Sequence, residues 1–175
     1  MILRRHRAGD GTESEAVYSD CETYRYRLSR VWNDADPQAL FVMLNPSTAD
    51  EVRNDPTVGR CETRARRAGF GGFTVCNLFA FRATHPADLR CATRPVGPNN
   101  DRALADASAA ADLILCAWGV HGAHLGRGAE VARLLARAGR PLFHLGLTRE
   151  GHPRHPLYLS YEVRPEPWAD QAPVS

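Results

Sequence analysis

Short runs of consecutive apolar residues recur along the chain, separated by stretches in which apolar positions return every three or four residues. Ala39 to Leu44 is one such run; it stops at Asn45-Pro46 and predicts a strand covered on both faces. A helix follows, because Asp55 can cap it, Pro56 suits its first turn, Val58, Cys61, Ala65 and Ala68 share one face, and Gly69 closes it. Phe73 to Cys76 predicts a second buried strand ending at Asn77. The stretch with Pro86, Pro95 and Pro98 reads as a long loop, Asp101 to Ala110 as a helix, and Leu113 to Trp118 as a third strand ended by Gly119. A turn with Gly122, Gly126 and Gly128 leads into a helix over Ala129 to Ala138, and Leu142 to Leu145 supplies a fourth strand. Ahead of all this, Tyr24, Tyr26 and Leu28 alternate with Arg25, Arg27 and Ser29, the period of a half-exposed strand at a sheet edge or in a hairpin.

Strands alternating with helices predict an α/β fold of three layers, α/β/α, around a central four-stranded, mainly parallel sheet. Residues 1–15 read as a loose polar segment, 16–163 as a single domain, and 164–175, with Pro165, Pro167 and Pro173, as a proline-rich tail. Ligands of such sheets bind at the carboxyl ends of the strands. That rule selects Asn45 with Ser47, Thr48 and Asp50, then Asn77, then the Gly119 to His124 turn, then His144 to His155.

Composition narrows the chemistry. At 175 residues and 43% apolar content, one core is expected. No run is long enough for a membrane span, and Met1 to Asp10 lacks the apolar stretch of a secretory signal, so a soluble, cytoplasmic protein is expected. The formal charge of +2 is too small to argue for nucleic acid. All 22 basic residues are arginine, however, which excludes a lysine Schiff base and a Walker-type phosphate loop. Arg64, Arg66, Arg67, Arg82, Arg90 and Arg94 can serve a nucleic-acid backbone; GC-rich coding gives the same bias. The five cysteines form no CxxC pair and read as small core residues.

Two readings stand at each polar strand end. Asn45 can orient a water or bond a sugar or base, with Asp50 or Asp55 as a base; equally, Asn-Pro initiates turns and Asp caps helices. Asn77, closing a buried strand, needs a partner that is either a ligand edge or an adjacent backbone. Gly119 to Gly122 can present amides to an anion or serve turn geometry alone. His152 and His155, each followed by proline, can aim imidazoles at developing negative charge or lie on an exposed loop.

The segments LNPSTAD and NDPT (Leu44 to Asp50, Asn54 to Thr57), NLFAFRATHP (Asn77 to Pro86), GPNND (Gly97 to Asp101) and GHPRHPLYL (Gly151 to Leu159) look like the bacterial domain-of-unknown-function family 1643. More distantly, MLNPS (Met43 to Ser47), VCNLFAFRA (Val75 to Ala83), LILCAWG (Leu113 to Gly119) and HPLYLS (His155 to Ser160) resemble, in order, strand-end motifs of the uracil-DNA glycosylase superfamily. That resemblance implies a base-excising hydrolase acting on DNA or a nucleotide with a damaged or modified base. Asn45 would align the water and His155, or His152, would stabilise the departing base. Asn77 would read the base edge, beside Pro46, Ser47, Phe79, Phe81, Arg82, Trp118 and Gly119. Asn45 stands where an Asp would activate water strongly, so Asp50 or Asp55 would have to assist, and Leu157-Tyr158 replaces a small Ser-Pro pair. His121 and His124, like His152 and His155, have no third ligand at convincing spacing, so no metal is expected, nor any cofactor or obligate protein partner, and a monomer is expected. A non-catalytic module binding a nucleotide or modified base on the same fold is the alternative.

Overall fold

The computed structural model describes residues 1–169. Eight strands form one mixed sheet: β1 (Ile2–Arg7), β2 (Glu13–Tyr18), β3 (Arg25–Val31), β4 (Gln38–Met43), β5 (Gly72–Asn77), β6 (Leu113–Cys116), β7 (Leu142–His144) and β8 (Glu166–Pro167), in the order β1-β2-β3-β5-β4-β6-β7-β8. The four strands expected from the apolar runs are its parallel centre, β5-β4-β6-β7. The sheet is nonetheless twice the expected size, because antiparallel strands extend it at both sides.

These additions correct three expectations. Residues 1–15 are not a loose segment: β1 pairs with β2 from Ile2↔Tyr18 to Arg7↔Glu13, and alternation along β2 buries Ser14, Ala16 and Tyr18. The YRYRLS alternation does form a hairpin strand, but β3 lies inside the sheet between β2 and β5. The proline-rich tail is ordered where it is described: β8 pairs with β7, and the Trp168 ring packs 5.6 Å from that of Trp118. Residues 170–175 of that tail lie outside the described residues.

Two helical layers cover the sheet. On one face α1 (Pro56–Arg67) buries Val58, Cys61 and Ala65 against Phe41, Met43, Phe73, Val75 and Leu115. Asp55 caps it as expected, accepting from the Val58 amide at 2.9 Å, and Arg64, Arg66 and Arg67 fill the last turn, where cations complement the helix dipole. On the other face α3 (Asn100–Ala110) and α4 (Arg127–Ala136) bury Leu104, Val131 and Leu135 against Leu40, Val42, Cys76 and Ile114. The expected long loop holds a further short helix, α2 (Pro86–Cys91), whose Leu89 enters this second core. Pro86 starts it, so the residue that read as a breaker is a first-turn proline. Cys61, Cys76 and Cys116 are core residues, whereas Cys21 and Cys91 are exposed. Among the described residues no helix is long and apolar enough to cross a membrane.

The chain passes from β4 to β5 on one side and then to β6 on the other. Strand order therefore reverses at β4, and the crevice beyond the carboxyl ends of β4 and β6 is where an open parallel sheet accepts a ligand.

Candidate functional site at the carboxyl edge of the sheet

Pairing continues past the strand ends and fixes the edge. Leu78 and Phe79 donate their amides to Met43 and Leu44 at 2.9 and 3.0 Å, and Ala117 donates to Val42 at 2.8 Å, so the segments after β5, β4 and β6 lie side by side. The loop after β7 is fastened to the same edge. Gly119 donates to the Pro153 carbonyl at 2.8 Å, and a Cβ on Gly119 would stand 3.5 Å from that of His155. Asn45, Asn77 and His155, far apart in sequence, thus belong to one edge. Among the described residues their side chains do not hydrogen-bond to one another.

Asn77 is 1% exposed, and neither its Nδ2 nor its Oδ1 has a hydrogen-bond partner. Leaving such a group unpaired costs roughly 1 to 3 kcal/mol, so Asn77 is held at this strand end at an energetic cost. The backbone around it is fully engaged. Asn100 donates its amide to the Asn77 and Leu78 carbonyls, and the buried Arg127 adds a bond from Nε to Leu78 while pairing with Asp101 and Glu130. The GPNND segment is therefore a brace for β5. Its Gly97 has φ +86°, and a Cβ there would press on the Tyr24 ring at 2.9 Å.

Asn45 is half-buried and donates Nδ2 to the carbonyls of Ala83, at 2.7 Å, and Pro46, at 3.0 Å. Both are backbone contacts, yet they fix the amide so that its Oδ1 is the atom left to address a ligand or water. Pro46 is buried and its carbonyl also accepts from the Ala83 amide, while Ser47 is half-buried beside it. Asp50 is engaged on one carboxylate oxygen and Asp55 on both. Asp50 Oδ1 accepts from Val52 and Arg53 at 2.8 and 2.7 Å; against desolvation, which pushes its pKa up, these amides hold the carboxyl below its ordinary value. Asp55 receives Val58 on one oxygen and Ala49 on the other.

His155 is half-buried, and its Nδ1 accepts from the Leu157 amide at 3.2 Å. That contact selects the neutral ring with the proton on Nε2. Burial pushes its pKa below the ordinary histidine value, with the Asp55 carboxylate opposing. His152 makes its hydrogen bonds to Thr148 through its backbone. Of the remaining expected residues, Phe79 and Trp118 are buried to 0% and 2% exposure, Phe79 against His124 and Trp118 against Trp168, so neither offers a face to a ligand. Gly119 has already spent its amide on Pro153. Phe81 packs edge-on to Tyr24, and Arg82 bonds the Glu22 carbonyl and stacks on Tyr18.

Sequence reasoning passed over Arg25. It is 2% exposed, donates Nη1 to the Ala49 carbonyl, leaves Nε unpartnered, and is pushed down to about 10 mainly by desolvation. Arg30 bonds the Asp50 carbonyl and Asn54 Oδ1 in the same way, so two arginines of β3 hold the loop that follows Asn45. Alternation marked Arg25 as outward. A bulge turns it in: Val17 pairs with Arg27 but Tyr18 with Arg25, leaving Tyr26 as the extra residue.

Fold and site together define a mixed α/β protein with converging amide, imidazole and guanidinium groups where its parallel strands end. The chain belongs to the family described as "Protein of unknown function (DUF1643)", whose model matches residues 25–157. No curated protein and no solved structure matches it.

Proposed function

We propose that the protein recognises a nucleobase at the carboxyl edge of β4 and β5 and hydrolyses its N-glycosidic bond, on DNA or on a nucleotide with a damaged or modified base. The observation that carries this reading is the Asn77 side chain, a buried donor and acceptor pair with nothing bound to either atom. A carboxamide matches the adjacent donor and acceptor of a base edge. As the bond breaks, its electrons leave with the base and the sugar carbon gains positive charge. The neutral His155 donates from Nε2 to the departing base. Asn45 Oδ1 orients the water that adds to the sugar carbon, and the proton this water sheds ends on the departing base anion, leaving His155 neutral. The chain holds no lysine, so cleavage proceeds without an intermediate linked to a side-chain amine. The resemblance of the four strand-end segments to uracil-DNA glycosylase motifs points the same way.

The occupied carboxylates favour a second reading. With Asp55 held by amides on both oxygens and Asp50 on one, neither candidate base stands clear to activate water, as suits a module that binds a base without cutting it. Oligonucleotides bearing damaged and hypermodified bases, single- and double-stranded, separate the two. Base release that disappears in Asn45→Ala and His155→Ala supports the hydrolase. Binding that requires Asn77 but yields no free base supports the module, and absence of both overturns the nucleobase reading.

A further inference from the structure

The face of the sheet that carries α1 is covered unevenly. One helix and the extended segment after the Pro156–Tyr158 turn roof it, and between them lies a groove of about 600 Å³ near the amino ends of β4 and β6, at the opposite end of α1 from Asp55. Phe41, Leu115 and Leu145 line it from below. Arg64, Arg67, Arg164 and Glu162 are its charged residues, three cations against one anion. Arg67 meets Glu162 at 4.0 Å, where both side chains are largely exposed. Arg64 is different: it is 8% exposed, and although Nη1 and Nη2 bind the carbonyls of Val163, Leu159 and Ser160, its Nε has no partner. Carbonyls satisfy its outer nitrogens but do not neutralise it, so Arg64 leaves a buried positive charge beside an apolar lining.

We infer that this groove is a binding site for an amphipathic organic anion, an aromatic or aliphatic body of drug size bearing a carboxylate or sulfonate. The body lies over Phe41, Leu115 and Leu145, and the head group sits in the combined field of Arg64, Arg67 and Arg164. The volume is that of small-molecule sites, about 300 to 1,000 Å³. The groove stands apart from Asn77, so the two sites fail independently.

8-Anilinonaphthalene-1-sulfonate is the probe, with neutral N-phenyl-1-naphthylamine as the same ring system lacking the anion. The full-length folded protein binds one equivalent of the sulfonate saturably. The double variant Arg67→Glu/Arg164→Glu weakens it by about tenfold or more and leaves the neutral amine unchanged. Ala68→Trp, which fills the groove from an exposed position, removes both probes, whereas Asn77→Ala alters neither. Circular dichroism verifies that each variant is folded. Non-saturable binding, or saturable binding indifferent to the charge reversal and to Ala68→Trp, overturns the assignment.

Discussion

Asn100, at the start of α3, donates its side-chain amide to the carbonyls of both Asn77 and Leu78, at 2.9 and 3.0 Å. One buried residue on a covering helix thus sets the backbone of the strand end that carries the unpaired Asn77 amide. Asn100→Ala removes both bonds and leaves the Leu78 carbonyl with the one from Arg127, and destabilisation by roughly 1 to 3 kcal/mol is expected in urea titrations. Ligand binding should weaken with it, because the position of Asn77 depends on this brace.

Asn77→Leu should move stability the other way. Replacing a buried amide that has no partner by an apolar side chain of related shape removes a desolvation cost of about 1 kcal/mol or more, so the melting temperature rises. Binding of base-bearing ligands is lost in the same variant. Thermal melts and a binding titration read the opposed effects; a fall in melting temperature would show that the Asn77 amide is paired after all.

Asp55 was a candidate base in the sequence, and the geometry makes it a cap. Asp55→Ala removes the acceptor for Val58 and Ala49 and should cost about 0.5 to 2 kcal/mol. Asp55→Asn keeps an oxygen for Val58 and should restore most of that stability, together with base release. Stability regained without activity would instead give the carboxylate a chemical part.

His155 makes stability fall on the acid side. Its folded pKa lies below 6.5, the ordinary value that the unfolded chain retains. Between the two the unfolded state binds more protons, so stability is intact above about pH 6.5 and declines as pH drops towards the folded value. Protonation of Nδ1 also breaks the contact with the Leu157 amide. His155→Gln should flatten this part of a stability-against-pH curve measured by denaturant titration.

Gly122→Ala tests the other wall of the edge. A Cβ there would lie 2.1 Å from the Trp118 ring, so the ring must move and loosen its packing on Trp168. A shift in tryptophan emission with lowered stability is the expected result.

The parallel centre was legible because both of its faces are covered: β4, β5, β6 and β7 appear as apolar runs, each ended by a polar or small residue. Asn45, Asn77 and His155 could be selected because topology, which the runs imply, sends strand ends to one edge. What escaped depends on contacts distant in sequence. Arg25 reads as a solvent-facing residue until the bulge opposite Val17 and Tyr18 reverses it. Phe79 and Trp118 read as neighbours of a bound base until His124 and Trp168 pack against them. Residues 1–15 and Glu166–Pro167 are too polar to announce strands, since as sheet margins they need bury one face or none.

The two margins have a consequence for any shortened form. The family match begins at Arg25 and ends at Leu157, so it spans β3 to β7 and omits β1, β2 and β8. A fragment cut at those limits would expose unsatisfied amides and carbonyls along β3 and β7, both bordered by buried apolar residues. Bare strands of that kind recruit one another. The arginine-studded β1 and the two-residue β8 act as hems, and clipping them would turn a self-limited sheet into one that grows.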